Sequence, residues 1–320
     1  MQDMYDIKDR IVQVRQELAK VVAGQEEVIE ELIVGLLMNT GHILLEGVPG
    51  TGKTLLVKTL AQAVDCEFKR VQFTPDLMPS DIIGTNVYNF SSGSFTLKKG
   101  PVFTSFLLAD EINRTPPKTQ AALLEVMEEK QVTIDGIGYR LEEPFFVIAT
   151  QNPIEHEGTY PLPEAQLDRF LMKIIVDYPS REEEKSVLRN YHSGFRADRI
   201  NEAGVNKVLT PADILIIREK VQAVVVEDAI FDYILAVVEG TRKNYNLMVG
   251  ASPRASINLL LAGKVLAAIT GRGYVVPDDI KRLAAPVLRH RLALKPEAEI
   301  EGLTADDVIR LILDSVEVPR

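Results

Sequence analysis

One stretch, Gly47-Val48-Pro49-Gly50-Thr51-Gly52-Lys53-Thr54, constrains the fold of this chain more than any other. An apolar run, Ile43 to Leu45, precedes it and reads as a buried parallel strand. Leu55 to Ala61 follows and reads as a helix. The turn between them fits G-x-x-x-x-G-K-[ST]. Glycines 47, 50 and 52 let the backbone curl tightly, and the curl aims successive N–H groups at one point. The helix N-terminus adds partial positive charge there, so the turn is built to cradle phosphate. Lys53 is expected to reach the β- and γ-phosphates, and Thr54 to offer its hydroxyl to Mg2+.

A second stretch gives the first a task. Val102 to Ala109 reads as an apolar strand that ends in two adjacent carboxylates, Asp110 and Glu111. Open parallel sheets bind ligands at the carboxyl ends of their strands. Asp110 is expected to hold the Mg2+ shell, and Glu111 to orient and polarise the attacking water. Adjacent strand residues point to opposite faces, which would let the pair divide the work. Phe145 to Thr150 reads as a further buried strand running into Gln151-Asn152-Pro153. The Asn152 amide has the chemistry to bind the γ-phosphate or its water; a turn-forming Asn before Pro is the other reading.

The remaining chain divides in two. Ile7, Ile11, Val14, Leu18 and Val21 share one helical face, and Val28 to Leu37 form the apolar side of a second helix. Glu67 to Phe73 alternates as a strand does. Two β-hairpins are expected. The first spans Asn86 to Lys98, and its aromatic residues are expected to pack locally. The second spans Gln131 to Glu142 around Asp135-Gly136-Ile137-Gly138. After Pro179 the chain reads as helical. Ser180-Arg181-Glu182-Glu183, Thr210-Pro211-Ala212-Asp213 and Thr304-Ala305-Asp306-Asp307 have the form of helix starts. The boundaries are therefore an α/β nucleotide-binding core over 1–180 and a helical lid over 181–320.

Composition narrows the function classes. At 320 residues, 46% hydrophobic and 26% charged, the chain has the balance of a soluble globular protein. Its net charge of −10 disfavours non-specific nucleic-acid binding. The single cysteine, Cys66, reads as core and fits a reducing cytosol. No secretory signal is visible, and the longest apolar stretches are too short or too interrupted for membrane insertion. His42, His156, His192 and His290 lack zinc-ligand spacing.

Together these motifs resemble an AAA+ ATPase: a P-loop core with a parallel sheet flanked by helices, plus a C-terminal helical lid. The details resemble the MoxR branch. They are Gly47 to Thr54, Ala109-Asp110-Glu111-Ile112-Asn113-Arg114 with Pro116-Pro117-Lys118-Thr119-Gln120, Ala149 to Pro153, and Leu162-Pro163-Glu164-Ala165-Gln166-Leu167-Asp168-Arg169-Phe170. The two hairpins resemble that branch's helix-2 insert and the hairpin before sensor 1. The resemblance implies ATP with Mg2+ as the ligands. Gly47, Val48, Pro49, Gly50, Thr51, Gly52, Lys53, Thr54 and Leu55 would hold the phosphates, and Asp110 and Glu111 would be the Walker B pair. Asn152 would be sensor 1. Arg169 would be an arginine finger inserted into a neighbouring subunit, with Arg114 a second candidate. Arg254 would be sensor 2. Val21 to Gln25, with Val22 and Gly24 as contacts, would line the adenine, although Ala23 departs from the usual Val-Val-Gly-Gln. A local ion pair of Arg169 with Asp168 or Glu164, and a surface charge at Arg254, are the plainer readings. The resemblance further implies a homo-oligomeric ring, a hexamer. It implies chaperone-like maturation or assembly of protein complexes, metal-cofactor insertion included, with a client and a von Willebrand factor A domain partner. A DNA-dependent motor related to MCM helicases, and an ATP-binding assembly switch with little turnover, are the alternatives.

Overall fold

Strands buried on both faces need apolar side chains at every position, and such strands form the centre of this molecule. The structure is a computed structural model that describes residues 2–91, 93–152 and 158–319. Its elements follow in chain order. Helices α1 (Gln2–Ala19) and α2 (Glu26–Leu36) lead into β1 (Ile43–Gly47), α3 (Lys53–Ala63) and β2 (Phe68–Gln72). Then come α4 (Pro79–Ile83), the hairpin β3 (Gly84–Asn89) and β4 (Ser94–Lys99), β5 (Phe106–Asp110) and α5 (Pro117–Glu129). The second hairpin, β6 (Gln131–Ile134) and β7 (Ile137–Arg140), precedes β8 (Phe146–Gln151), α6 (Glu164–Leu167) and β9 (Met172–Val176). The rest is mostly helical: α7 (Arg181–His192), α8 (Pro211–Val221), α9 (Asp228–Lys243), β10 (Leu247–Val249), α10 (Pro253–Ile269), α11 (Pro277–Leu288), β11 (Ala293–Leu294), α12 (Pro296–Ile300) and α13 (Ala305–Ser315).

The central sheet has five parallel strands in the order β2-β5-β8-β1-β9. Alternation sorts its side chains into two layers. Ile43, Leu45, Phe106, Leu108, Phe146 and Ile148 join α1, α2, α3 and the lid helices in one continuous core. Leu44, Leu107, Ala109, Val147 and Ala149 face α5 and the bases of the hairpins. Register puts Gln72 beside Asp110 and Glu46 beside Gln151, so polar strand ends gather at one edge. Ser180, Thr210 and Thr304 each cap their helix through a reciprocal pair with the acidic residue three positions on, as the sequence predicts.

Four local departures from the sequence reading have physical causes. Strand β5 starts at Phe106 rather than Val102, because the Thr104 hydroxyl is spent on the Glu67 carbonyl (3.0 Å) in a turn. The lid contains a small antiparallel pair, β10 with β11, too short to register as a sequence pattern. A 3-10 helix, Ala197–Ala203, occupies part of His192 to Lys207, a polar stretch that reads in sequence as the one long irregular connection of the lid. The hairpin aromatics do pack locally, Tyr88 edge-on to Phe90 and Phe95 at 5.2 Å, but Phe90 stays 91% exposed. Among the described residues no helix is long and apolar enough to cross a membrane. Cys66 is half-buried and its thiol is pushed up to about 12, which makes it inert at neutral pH.

Glu31 on α2 has its carboxyl raised to about 7, by burial first, with Glu27 and Glu30 adding and Arg289 and Arg282 opposing. Between about pH 4.5 and 7 the folded chain holds a proton that the unfolded chain has released, so this group's contribution falls as pH rises. Glu31→Gln should therefore gain about 2 kcal/mol over wild type in urea denaturation at pH 8 and much less at pH 5. An equal difference at both pH values would contradict this.

Candidate nucleotide site

The turn after β1 folds as its glycines require. Gly50 and Gly52 take φ of +86° and +81°, a region costly for residues with a Cβ. Gly47 is needed for another reason: a Cβ there would lie 2.4 Å from the Val176 carbonyl of β9. The Thr51 hydroxyl donates to the Val48 carbonyl at 3.1 Å, and the Gln25 amide donates to the Thr51 carbonyl at 3.1 Å. The Lys53 ammonium spans the loop, donating to the carbonyls of Gly47 and Val48. Burial pulls its pKa down, while Asp110, Glu111 and Glu46 hold it up.

A polar cavity of about 540 Å3 opens over this turn. It gathers Lys53, Thr54, Asp110, Glu111 and Asn152, residues scattered through a hundred positions of sequence. Pro153, which follows Asn152, and His156 lie outside the described residues. Asp110 is held from both sides. Its Oδ1 accepts from the Thr150 hydroxyl at 2.5 Å, and its Oδ2 accepts from Arg70 Nε and Nη2 at 2.9 and 2.6 Å. Glu111 does not sit on the strand as the sequence suggests. It turns into the left-handed region (φ 58°), so this turn, rather than strand alternation, separates the two carboxylates. Its N–H donates to Thr150 Oγ1 at 2.8 Å, and its Oε2 accepts from Gln72 at 2.5 Å and pairs with Arg114 at 3.2 Å. Arg114 therefore lies beside the carboxylate of its own chain.

Beside it lies a more apolar cavity of about 530 Å3, lined by Val21, Val22, Leu55, Val187, Tyr191 and Phe195 among others. Tyr191 borders both cavities and stacks edge-on to Phe195 at 5.4 Å. Three expected contacts fall elsewhere. Gly24 is packed under α7, where a Cβ would strike the Glu183 carboxylate. Gly47 and Val48 shape the turn from behind and line neither cavity. Ala23 and Gln25 do line the apolar one.

Arg169 and Arg254 do not join this site. Both reach Glu128 on α5, Arg169 at 3.2 Å and Arg254 at 3.0 Å, beside a separate cavity. Asp168 is engaged by Arg291 instead, so the local pairing left open by sequence is not the one that forms. Part-exposed pairs of this kind contribute about 0–1 kcal/mol, and a guanidinium pairs with phosphate as readily as with carboxylate.

Arg70, Gln72, Thr150 and Tyr191 carry no signal that the sequence reading used. Arg70 and Gln72 share parity at the end of β2, next to the strand carrying Asp110, which is the signal that strand order would have supplied. Thr150→Val removes the hydroxyl that joins Asp110 to the Glu111 amide. It should lower kcat by about 10–100-fold with KM for ATP nearly unchanged. A normal kcat in steady-state assays would contradict that role.

Comparison with known proteins agrees with this geometry. Residues 42–172 match the family described as ATPase family associated with various cellular activities, and residues 239–312 match an AAA lid domain. The protein YeaC of Bacillus subtilis is 46% identical over 94% of this chain and 92% of its own. Chaperone MoxR1 of Mycobacterium tuberculosis is 46% identical over 95% of this chain and 81% of its own. Protein MoxR of Methylorubrum extorquens is 32% identical over 98% and 96%. A crystal structure of a Cytophaga hutchinsonii protein superposes with a TM-score of 0.90 at 45% identity, covering 100% of this chain and 98% of that one.

Proposed function

This chain belongs to the MoxR-type AAA+ ATPases, and from that premise we propose that it hydrolyses MgATP at a site completed by a second copy of itself in a ring. One observation carries the proposal. The cavity over the phosphate loop gathers Lys53, Thr54, Asp110, Glu111 and Asn152, whereas Arg169 and Arg254 converge on Glu128 at a different place. A chain whose Arg169 and Arg254 lie outside its own phosphate cavity has them available for a neighbour's.

The residues present fit the ligands. The Thr54 hydroxyl and Asp110 carboxylate are hard oxygen donors suited to Mg2+, and Asp110 Oδ1 keeps a lone pair beyond the bond it accepts from Thr150. Thr54 and Asp110 would hold Mg2+, which would supply charge to offset that of the phosphates. Lys53 exchanges its loop carbonyls for phosphate oxygens. Glu111, steered by Gln72 and Arg114, takes the proton from the attacking water. Asn152 orients that water or the terminal phosphate. Val21, Val22, Ala23, Gln25 and Tyr191 enclose the base. A partner's Arg169 and Arg254 meet the charge that develops on the transferred group, an effect worth about 10³ to 10⁵ in rate.

We take residues 1–180 as core and 181–320 as lid, and a hexamer as the closed assembly. Hydrolysis then turns lid against core and shifts the two hairpins, which Asn86 ties together through Asp135 at 2.8 Å. The biological role is chaperone-like maturation of protein complexes, in keeping with the relative Chaperone MoxR1. A von Willebrand factor A domain partner and a protein client, with metal-cofactor insertion among the outcomes, complete the reading. The relatives favour neither a DNA motor nor a non-hydrolysing switch, and a reducing cytosol is the proposed setting.

Arg169→Ala should lower turnover by about 10³-fold while nucleotide affinity stays within a few-fold. Mixing it with Lys53→Ala should restore part of the activity, because the intact site of one meets the intact arginine of the other. Normal turnover by Arg169→Ala, or no recovery on mixing, would overturn the shared site.

A further inference from the structure

The loop between α6 and β9 carries Asp168, Arg169, Phe170 and Leu171, and the lid holds its backbone chiefly through the Arg291 side chain. Arg291 follows α11 in a 3-10 turn, and its side chain is only 2% exposed. Its Nε donates to Asp168 Oδ1 at 2.7 Å. Its Nη2 donates to the Asp168 carbonyl at 3.2 Å and the Phe170 carbonyl at 2.6 Å. Its Nη1 donates to the Leu171 carbonyl at 3.1 Å and to the Val287 carbonyl of its own helix. The neighbouring His290 donates from Nε2 to the Phe170 carbonyl at 3.1 Å. Burial holds that imidazole well below its usual pKa, so it stays neutral and keeps the donor. Burial also lowers Arg291, to about 10, which leaves it cationic at neutral pH.

Arg169 sits at the centre of this grip, yet among the described residues its guanidinium ion-pairs with the part-exposed Glu128 carboxylate. Its direction is therefore set by the backbone on either side, and that backbone is fixed by Arg291. The second arginine is coupled to the same point. Ser252, two residues before Arg254, donates to Asp168 Oδ2 at 3.3 Å. Asp168 thus lies between Arg291 on one side and the start of α10 on the other. Arg289 extends the same contact by donating to the Lys173 carbonyl of β9 at 3.1 Å.

We propose that Arg291 is a positioning residue for the neighbouring subunit's ATP site: it locks the Asp168–Leu171 loop to the lid, so that Arg169 and Arg254 are presented as one rigid pair. The proposal rests on the reading of Arg169 as a donated finger. It deepens that reading by naming what aims the finger and how lid position reaches it. A planar guanidinium fork binds several acceptors at fixed angles, and a lysine ammonium reproduces the charge but not the geometry. Displacement of a reacting group by about 1 Å costs on the order of 10² in rate.

A purely structural weld between lid and core would damage a subunit's own site as much as the site it serves. A positioning role predicts asymmetry. Arg291→Lys, and independently Asp168→Asn, should each lower turnover by about 10²-fold with nucleotide affinity within about threefold of wild type. Excess Lys53→Ala, which brings intact fingers and a dead site, should restore turnover at the variant's own site. Excess Arg169→Ala, which brings no finger, should not. Unchanged turnover in both variants would overturn the proposal. So would loss of nucleotide affinity without rescue by Lys53→Ala, in an experiment where Lys53→Ala does rescue Arg169→Ala. If that control pair fails to complement, the reading of Arg169 itself falls and the proposal falls with it.

Discussion

The terminal phosphate of a bound nucleotide demands positive charge, and among the described residues the cations bordering the cavity of one chain are Lys53, Lys58 and Arg70. Arg70 borders the cavity but is bound twice to Asp110. Lys53 is the cation delivered by the loop itself, and Asp110 and Glu111 sit opposite it. The parallel sheet explains this arrangement. Its polar strand ends gather acids at the carboxyl edge, where Mg2+ chemistry needs them. The balancing arginines stand beyond the other end of α5, on Glu128. The proposed division of the site between subunits accounts for that separation.

The separation costs little to maintain, because the Glu128 pairs are part-exposed and exchangeable. The contact that does carry stability lies one residue away. Arg291 and Asp168 form a largely buried pair whose guanidinium also satisfies backbone carbonyls of Asp168, Phe170 and Leu171. Removing one partner of such a pair leaves a charge uncompensated, at about 3–5 kcal/mol. Rigid backbone beneath and a loosely held side chain above suit a group that must change partners during a cycle.

Much of the fold is legible in sequence because its signals are local. Apolar periodicity gives α1 and α2, and caps at Ser180, Thr210 and Thr304 mark helix starts to the residue. The phosphate turn and the Asp110-Glu111 pair are legible because each chemistry needs a contiguous motif. What sequence does not give is created by tertiary contact. Arg291 and Asp168 are 123 positions apart, and Arg254 and Glu128 are 126 apart. Arg70 gains its meaning only from β2 lying beside β5. Glu111 leaves the strand for the left-handed region, which no periodicity announces. Gly24 is a glycine because Glu183 of α7 presses against it, a contact invisible until α7 is placed.

The central claim is that one chain holds an incomplete hydrolytic site. The most direct measurement is ATPase activity per subunit against protein concentration, with the assembled fraction recorded in the same samples. The account predicts that specific activity rises in step with assembly and approaches zero in the monomer. A monomer that hydrolyses ATP at the rate of the assembled protein would contradict it.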